Sequence, residues 1–277
     1  MTDKKKQVIK VIINYTTSMI SSLVVFLFCA LLAVGIMTSK WYIQHTVSST
    51  NYIDNSALEL KESMISLAIP SGLPENFFDD KINTEALKNL NAASIDNAYD
   101  NGKFSVDTKG IKEYHVALFN TYATSGALAS DVDVTEESIG YLAELCTEKY
   151  EKTAANSVFK YLAFYSAKIN RLAPFGIIGI GVFAALCILF MLKLSKAQND
   201  KSFLYYSICG GGIMTALAPI TILIGKFVNK ISISSRAMHT FLTAFVNNIL
   251  IIMAVLGAII ILVAVFVLLF EKKAEKN

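Results

Sequence analysis

Along four stretches of the chain, residues 11–37, 172–192, 203–224 and 241–270, the polar pattern falls silent: none contains Asp, Glu, Lys or Arg. A helix rising 1.5 Å per residue needs roughly 20 residues to cross a hydrocarbon core of about 30 Å, so each stretch is long enough to span a bilayer. Four transmembrane helices are therefore expected. The fourth run exceeds the required length, which tilt or protrusion has to absorb.

Between the first and second spans the pattern becomes periodic. Ile43, Val47, Thr50, Ile53, Ala57, Leu60, Met64 and Leu67 recur three and four residues apart. This predicts one helix that leaves the membrane past Trp41 and Tyr42, whose rings suit the headgroup layer, and that stops at the Pro70-Ser71-Gly72-Leu73-Pro74 run. A second stripe, Ile139, Leu142, Cys146, Tyr150, Thr153, Ser157, Tyr161, Tyr165 and Ile169, predicts a helix running straight into the second span. Asp133 and Glu136 have the spacing of a capping box at its start, and Pro174 and Gly176 fall where it would enter lipid and bend. The two helices are expected side by side and antiparallel. Shorter helices are expected over 84–97 and 109–122, with Asn101-Gly102 as a turn and Phe77, Phe78 and Phe104 as apolar plugs. The only strand signal lies at 103–106.

The expected fold is an all-α integral membrane protein with four transmembrane helices and a four-helix extracytoplasmic domain inserted between the first two. In chain order it comprises a cytoplasmic tail (1–10), the first span (11–37), the extracytoplasmic domain (38–171) and the second span (172–192). A cytoplasmic loop (193–202), the third span (203–224), an outer loop (225–240), the fourth span (241–270) and a cytoplasmic tail (271–277) follow. Lys4, Lys5, Lys6, Lys10, Lys193, Lys196, Lys201, Lys272, Lys273 and Lys276 fall on one side of this topology; the outer loop has only Lys226, Lys230 and Arg236. Positive residues are retained in the cytoplasm, so both termini are expected inside a cell membrane.

Composition agrees. Hydrophobic residues make up 54% of the chain, above the roughly 45–50% of soluble domains. The net charge of +3 divides unevenly, because residues 40–171 hold 12 basic and 18 acidic side chains. No basic patch suggests nucleic acid. Three of the four cysteines lie in predicted spans, which leaves Cys146 alone in the domain and rules out an internal disulfide there. On its apolar stripe it is expected as a buried free thiol. Few cysteines and no Asn-x-Ser/Thr acceptor in the domain suit a bacterial cell envelope.

Candidate chemistry is sparse. Charged groups inside lipid mark ion pathways, and the spans have none. Asn247 and Asn248 are the strongest polar candidates within them, as hydrogen-bonding glue between helices. Gly210, Gly211, Gly212 and Pro219 make the third span easy to bend. Ser207, Gly211 and Thr215, Gly181 with Ala185, and Ala254 with Ala258 place small residues where backbones can approach closely, as a packing seam or a hinge. His45, His115 and His239 lack partners at metal-site spacing, and no nucleophile elbow or phosphate-binding loop is present. Neither a cofactor nor a catalytic role is expected.

These features predict a non-catalytic protein whose outer domain binds an envelope or surface protein, with the spans, in contact with membrane lipids, as anchor or transmitter. A homo-oligomer fits the same pattern. The topology also resembles that of FtsX- and MacB-type permease subunits, which couple a cytoplasmic ATPase to work outside. That resemblance covers the whole chain without a shared motif and implies an ATPase contact at Lys193, Lys196 and Lys201.

Overall fold

The computed structural model describes residues 3–125, 135–154, 156–198 and 202–274. Every regular element among them is helical: α1 (Asp3–Met37), α2 (Lys40–Ser49), α3 (Tyr52–Ala68), α4 (Thr84–Asn101), α5 (Lys109–Thr124), α6 (Glu136–Ala154), α7 (Ser157–Gln198), α8 (Ser202–Ile224) and α9 (Arg236–Ala274). Short 3-10 turns occupy Ile69–Ser71, Glu75–Phe78 and Val228–Lys230. The strand signal at 103–106 comes to nothing; this stretch is an irregular link in which Ser105 offers its carbonyl to the Ser94 hydroxyl at 3.1 Å. Segments Val8–Met37, Val158–Leu194, Phe203–Lys230 and Arg236–Phe266 are long and apolar enough to cross a membrane. The chain folds as two compact units.

The first unit comprises Met1–Thr38, Ile169–Lys230 and Phe245–Asn277. Here α1 meets α8 in ascending order. Ser207 donates to the Ser18 carbonyl at 3.2 Å, Ser22 donates to the Ser207 carbonyl at 2.7 Å, and Gly211 lies against Val25, so the two helices are parallel. Against α7 the order descends: Gly35 faces Ala173, Leu31 faces Gly176, and Phe28 faces Gly181. It descends again where Gly212 faces Ile261 and Gly257 faces Ala216. Four helices alternating in direction is what successive crossings require.

The second unit joins Ser39–Lys168 to Ile231–Ala244. Its core packs Leu60, Met64 and Ala68 of α3 against Phe77, Phe78, Leu87, Phe119 and the Ala143, Cys146 and Tyr150 row of α6. Phe77 stands edge-on to Phe78 with ring centres 5.0 Å apart and stacks on Phe119 at 5.9 Å. Full burial of a large apolar side chain contributes about 1.5–3 kcal/mol. Gly102, at φ 66°, ends α4 with its N–H on the Asn97 carbonyl, a left-handed cap that favours glycine, and so realises the expected turn.

Both long helices expected between the first two spans are interrupted where an unbroken run was expected. After α1, Ser39 caps α2 by accepting from the Tyr42 N–H at 3.2 Å. A second break falls at Thr50 and Asn51, in a Ser-Ser-Thr-Asn stretch whose side chains compete for backbone partners; Thr50 donates to the Thr46 carbonyl at 2.8 Å. The break re-phases α3. Its buried row is Tyr52, Ser56, Leu60, Met64 and Ala68, and the expected Ile53, Ala57 and Leu67 are only half-buried.

Between α6 and α7 the same thing happens. Asn156 caps the start of α7 by accepting from the Val158 N–H at 3.0 Å. Beyond it the buried row is Phe159, Ala163, Ser166 and Ala167, leaving the expected Tyr161, Tyr165 and Ile169 exposed. At the other end of α6, Thr135 and Ser138 form the capping pair through two N–H to hydroxyl bonds of 3.1 Å; Glu136 is merely the first helical residue, and Asp133 lies outside the described residues. Pro174 sits inside α7, which remains one helix from Ser157 to Gln198.

The four-helix expectation for this unit was too small. Segment 231–244, read as outer loop and span, is part of its body. Tyr52, Phe159 and Phe241 form a ring triad with centres 5.4–5.6 Å apart, joining α3, α7 and α9. Phe104 packs edge-on to Phe159 at 6.1 Å and so seals this triad, whereas Phe77 and Phe78 plug the other core.

Candidate functional site

A cavity of about 280 Å³ opens in the second unit where α3, α6 and the start of α9 meet. One wall is the polar side of α3: Tyr52, Ser56, Glu59 and Ser63, at the steps of three and four that place them on one helix face. A second is Lys149, Lys152, Thr153 and Asn156, and a third is Ser235, Ala237 and Met238.

Glu59 ties two of these walls together. Its Oε2 accepts from the Ser235 hydroxyl at 3.0 Å and its Oε1 from the Ala237 N–H at 3.1 Å. Ser235 in turn accepts from the Met238 N–H at 3.0 Å, so serine and carboxylate together cap the first turn of α9. Unpaired N–H groups at a helix start carry partial positive charge, which a carboxylate there offsets. Nearby, Asn55 donates to the Thr240 hydroxyl at 3.0 Å. Tyr52 is sealed beneath, and burial pushes its phenol above the ordinary tyrosine value while a bond to Ser56 opposes the shift.

The cations around the cavity differ in occupation. Lys152 pairs with Glu148 at 3.4 Å, and Arg236 reaches Glu62 at 3.7 Å. Lys149 is half-buried and makes no ion pair among the described residues. The Asn156 side-chain oxygen accepts from the Val158 N–H, and its amide nitrogen is a donor group.

Beside the cavity, the core holds three buried titratable groups. His115 Nδ1 lies 2.8 Å from the Ile111 carbonyl, which makes this nitrogen the donor, and its ring is edge-on to Tyr150 at 5.3 Å. Burial holds its pKa below the ordinary histidine value against that hydrogen bond. Tyr150 accepts from the Asn83 N–H at 2.9 Å, and burial raises its phenol to about 12. Cys146 is a free, fully buried thiol raised to about 12 by burial, with Lys149 opposing. A thiol held protonated is a packing group, not a nucleophile. Among the described residues no cluster of three or more His, Cys, Asp or Glu could hold a metal ion.

The residues singled out from sequence fall in the first unit. A Cβ on Gly210 would come within 2.7 Å of the Ser22 hydroxyl, and one on Gly211 within 2.7 Å of Val25. Gly212 meets Gly257, where an added Cβ would stand 2.6 Å from the Gly212 carbonyl. Gly257, not Ala254 or the exposed Ala258, is thus the close-approach residue of α9. Gly181 faces Phe28 at an ordinary 3.4 Å, Ala185 is exposed, and Pro219 is buried within an unbroken α8. Asn247 donates to Asn229 of the preceding turn at 3.2 Å, pinning the α9 approach, and Asn248 is half-buried. Lys193 is exposed on α7, which continues through Lys196 to Gln198; Lys201 lies outside the described residues.

The sequence singled out Gly210, Gly211 and Gly212, which lie against α1 and α9, and missed the cavity. Glu59 and Lys149 look like ordinary solvated charges on amphipathic helices, and only the helix-start signal of Ser235 hinted at its wall. A second, more apolar hollow of about 340 Å³ lies between α2 and α4, lined by Trp41, His45, Val47, Lys88, Ala92 and Ile95, with Trp41 stacked on His45 at 5.2 Å. Comparison with protein-family models, curated proteins and solved structures finds no match to this chain.

Proposed function

We propose that this chain is a non-catalytic, multi-pass cell-membrane protein whose helical second unit lies outside the cytoplasm and binds an envelope or surface partner, with the four long helices as anchor and transmitter. The observation that carries this reading is that residues 39–168 and 231–244 fold as one body, held by Glu59 on the start of α9. Two segments separated by two spans can share a body only if both lie on the same side of the membrane. An even number of spans and the alternating helix directions of the first unit satisfy that condition. The lysine distribution supports this side being outside and both termini inside. The body is also attached at four chain crossings rather than one, and this suits passing a binding event to the spans better than passive display.

Placement is tested with Glu85→Cys, an exposed position on α4, in a Cys146→Ser background. A membrane-impermeant maleimide should label it in intact cells; labelling only after permeabilisation would put the second unit in the cytoplasm and overturn the reading. Binding is tested by crosslinking the tagged full chain in its native membrane and identifying what co-purifies. An envelope protein in stoichiometric amount is expected. A stoichiometric ATPase would instead support the permease-subunit alternative and direct mutation to Lys193 and Lys196.

A further inference from the structure

We propose that the cavity between α3, α6 and the start of α9 is a binding site for a small organic anion, whose acidic group is held by Lys149, Thr153 and Asn156. This deepens the binding-domain reading, on which it rests, by giving the body a small-molecule ligand.

The argument is one of unspent donors. Lys149 and Thr153 are four residues apart on α6 and so share a face, with Asn156 at the cap just beyond. All three line the cavity. The Lys149 ammonium is half-buried in the cavity wall and has no carboxylate partner among the described residues, whereas Lys152 on the same wall is paired with Glu148. Thr153 makes no hydrogen bond through its hydroxyl among the described residues, and Asn156 offers its amide N–H because its oxygen is engaged. A half-buried ammonium flanked by a free hydroxyl and a free amide matches a group with several acceptor oxygens.

The opposing carboxylate does not spoil the site. Both Glu59 oxygens already accept a hydrogen bond, and its charge faces the positive end of α9. The volume of about 280 Å³ is just below the range of drug-sized pockets, so the ligand is metabolite-sized. The third wall is the first turn of α9, so occupancy bears directly on the clamp that joins the two segments of the unit.

Carboxylates and phosphates share this chemistry, and the test separates them. The purified full chain in detergent is titrated by calorimetry with succinate and, separately, with inorganic phosphate, at constant ionic strength set with chloride. Saturable binding of one is expected, and which one binds names the class. Lys149→Gln should weaken it about ten- to hundred-fold, the loss expected for a charge-assisted contact, and Lys149→Arg should retain most of it. Lys61→Gln, which removes a lysine paired to Asp79, should leave it unchanged. Should Lys149→Gln fail to fold, Thr153→Val carries the same comparison. No saturable binding of either anion, or equal binding by the Lys149→Gln and Thr153→Val variants, would overturn the proposal. That failure is separable from failure of the binding-domain reading, which stands on labelling and partner capture in native membranes.

Discussion

The two units solve burial by opposite means. In the second, large side chains meet one another: Phe77, Phe78 and Phe119 interlock, Tyr52, Phe159 and Phe241 form a triad, and backbones are kept apart. In the first, backbones meet and many large side chains are exposed, although Tyr205 and Phe245 are buried. Gly210, Gly211, Gly212 and Gly257 bring helices together, while Phe175, Leu186 and Phe190 are exposed. In water, burying large apolar groups drives folding, so they turn inward. Lipid removes that drive, and close packing through small residues with Ser22-type hydrogen bonds takes over. The contrast follows the solvent each unit is built for.

Truncation and enlargement should therefore hurt the two units differently, and each has its own reporter. Trp41 is the only tryptophan and lies in the second unit; in a Cys146→Ser background the remaining thiols all lie in the first. Phe78→Ala should cost about 3–5 kcal/mol and lower the melting midpoint seen by Trp41 fluorescence. Gly257→Ala, which forces a Cβ onto the α8 backbone, should cost about 1–3 kcal/mol in the transition seen by a thiol-reactive dye. Gly179→Ala, with open space around it, should leave that transition in place or raise it slightly. Equal responses of both reporters to every variant would erase the distinction between the units.

A smaller effect is expected at the clamp. Glu59→Gln replaces one acceptor oxygen with a donor facing Ser235 or the Ala237 N–H and removes a charge from the helix start, so it should cost about 1–2 kcal/mol. Glu62→Gln, whose pair with Arg236 is exposed, should change the Trp41-reported midpoint hardly at all.

The smallest effect is a pH dependence confined to the second unit. Burial keeps His115 neutral below the unfolded value near 6.5, so the unfolded chain takes up its proton first as the medium acidifies. Stability is complete above that value and declines as the pH falls through it toward the lower folded one. Tyr150 and Cys146, both raised to about 12, stay neutral throughout. Unfolding midpoints measured from pH 7.5 downward should fall less steeply for His115→Gln than for the parent chain; identical slopes would remove His115 from the account.

Much of this was legible in the residue pattern. Span positions follow from uniform apolarity, which needs no partner to be recognised, and the Gly102 and Pro70 stops follow from backbone geometry. The seam at Ser207, Gly211 and Thr215 was visible because spacing of four on a helix is local information. The helix breaks were harder. Thr50–Asn51 and Asn156 interrupt stripes that looked continuous, because a period of 3.6 tolerates a one-residue slip without announcing it. Tyr161 and Tyr165 were accordingly assigned to a buried face that the break at Asn156 turned outward.

What the sequence determined alone is an all-helical chain with four segments fit for a membrane and one long polar-patterned insertion, since hydropathy and helical period are properties of neighbouring residues. What only the tertiary structure decided is that residues 231–244 join that insertion, that Glu59 caps a helix 177 residues further along, and that Lys149 has no ion-pair partner among the described residues. Those facts depend on which distant groups compete for one another's hydrogen bonds, and no local pattern encodes the outcome of that competition.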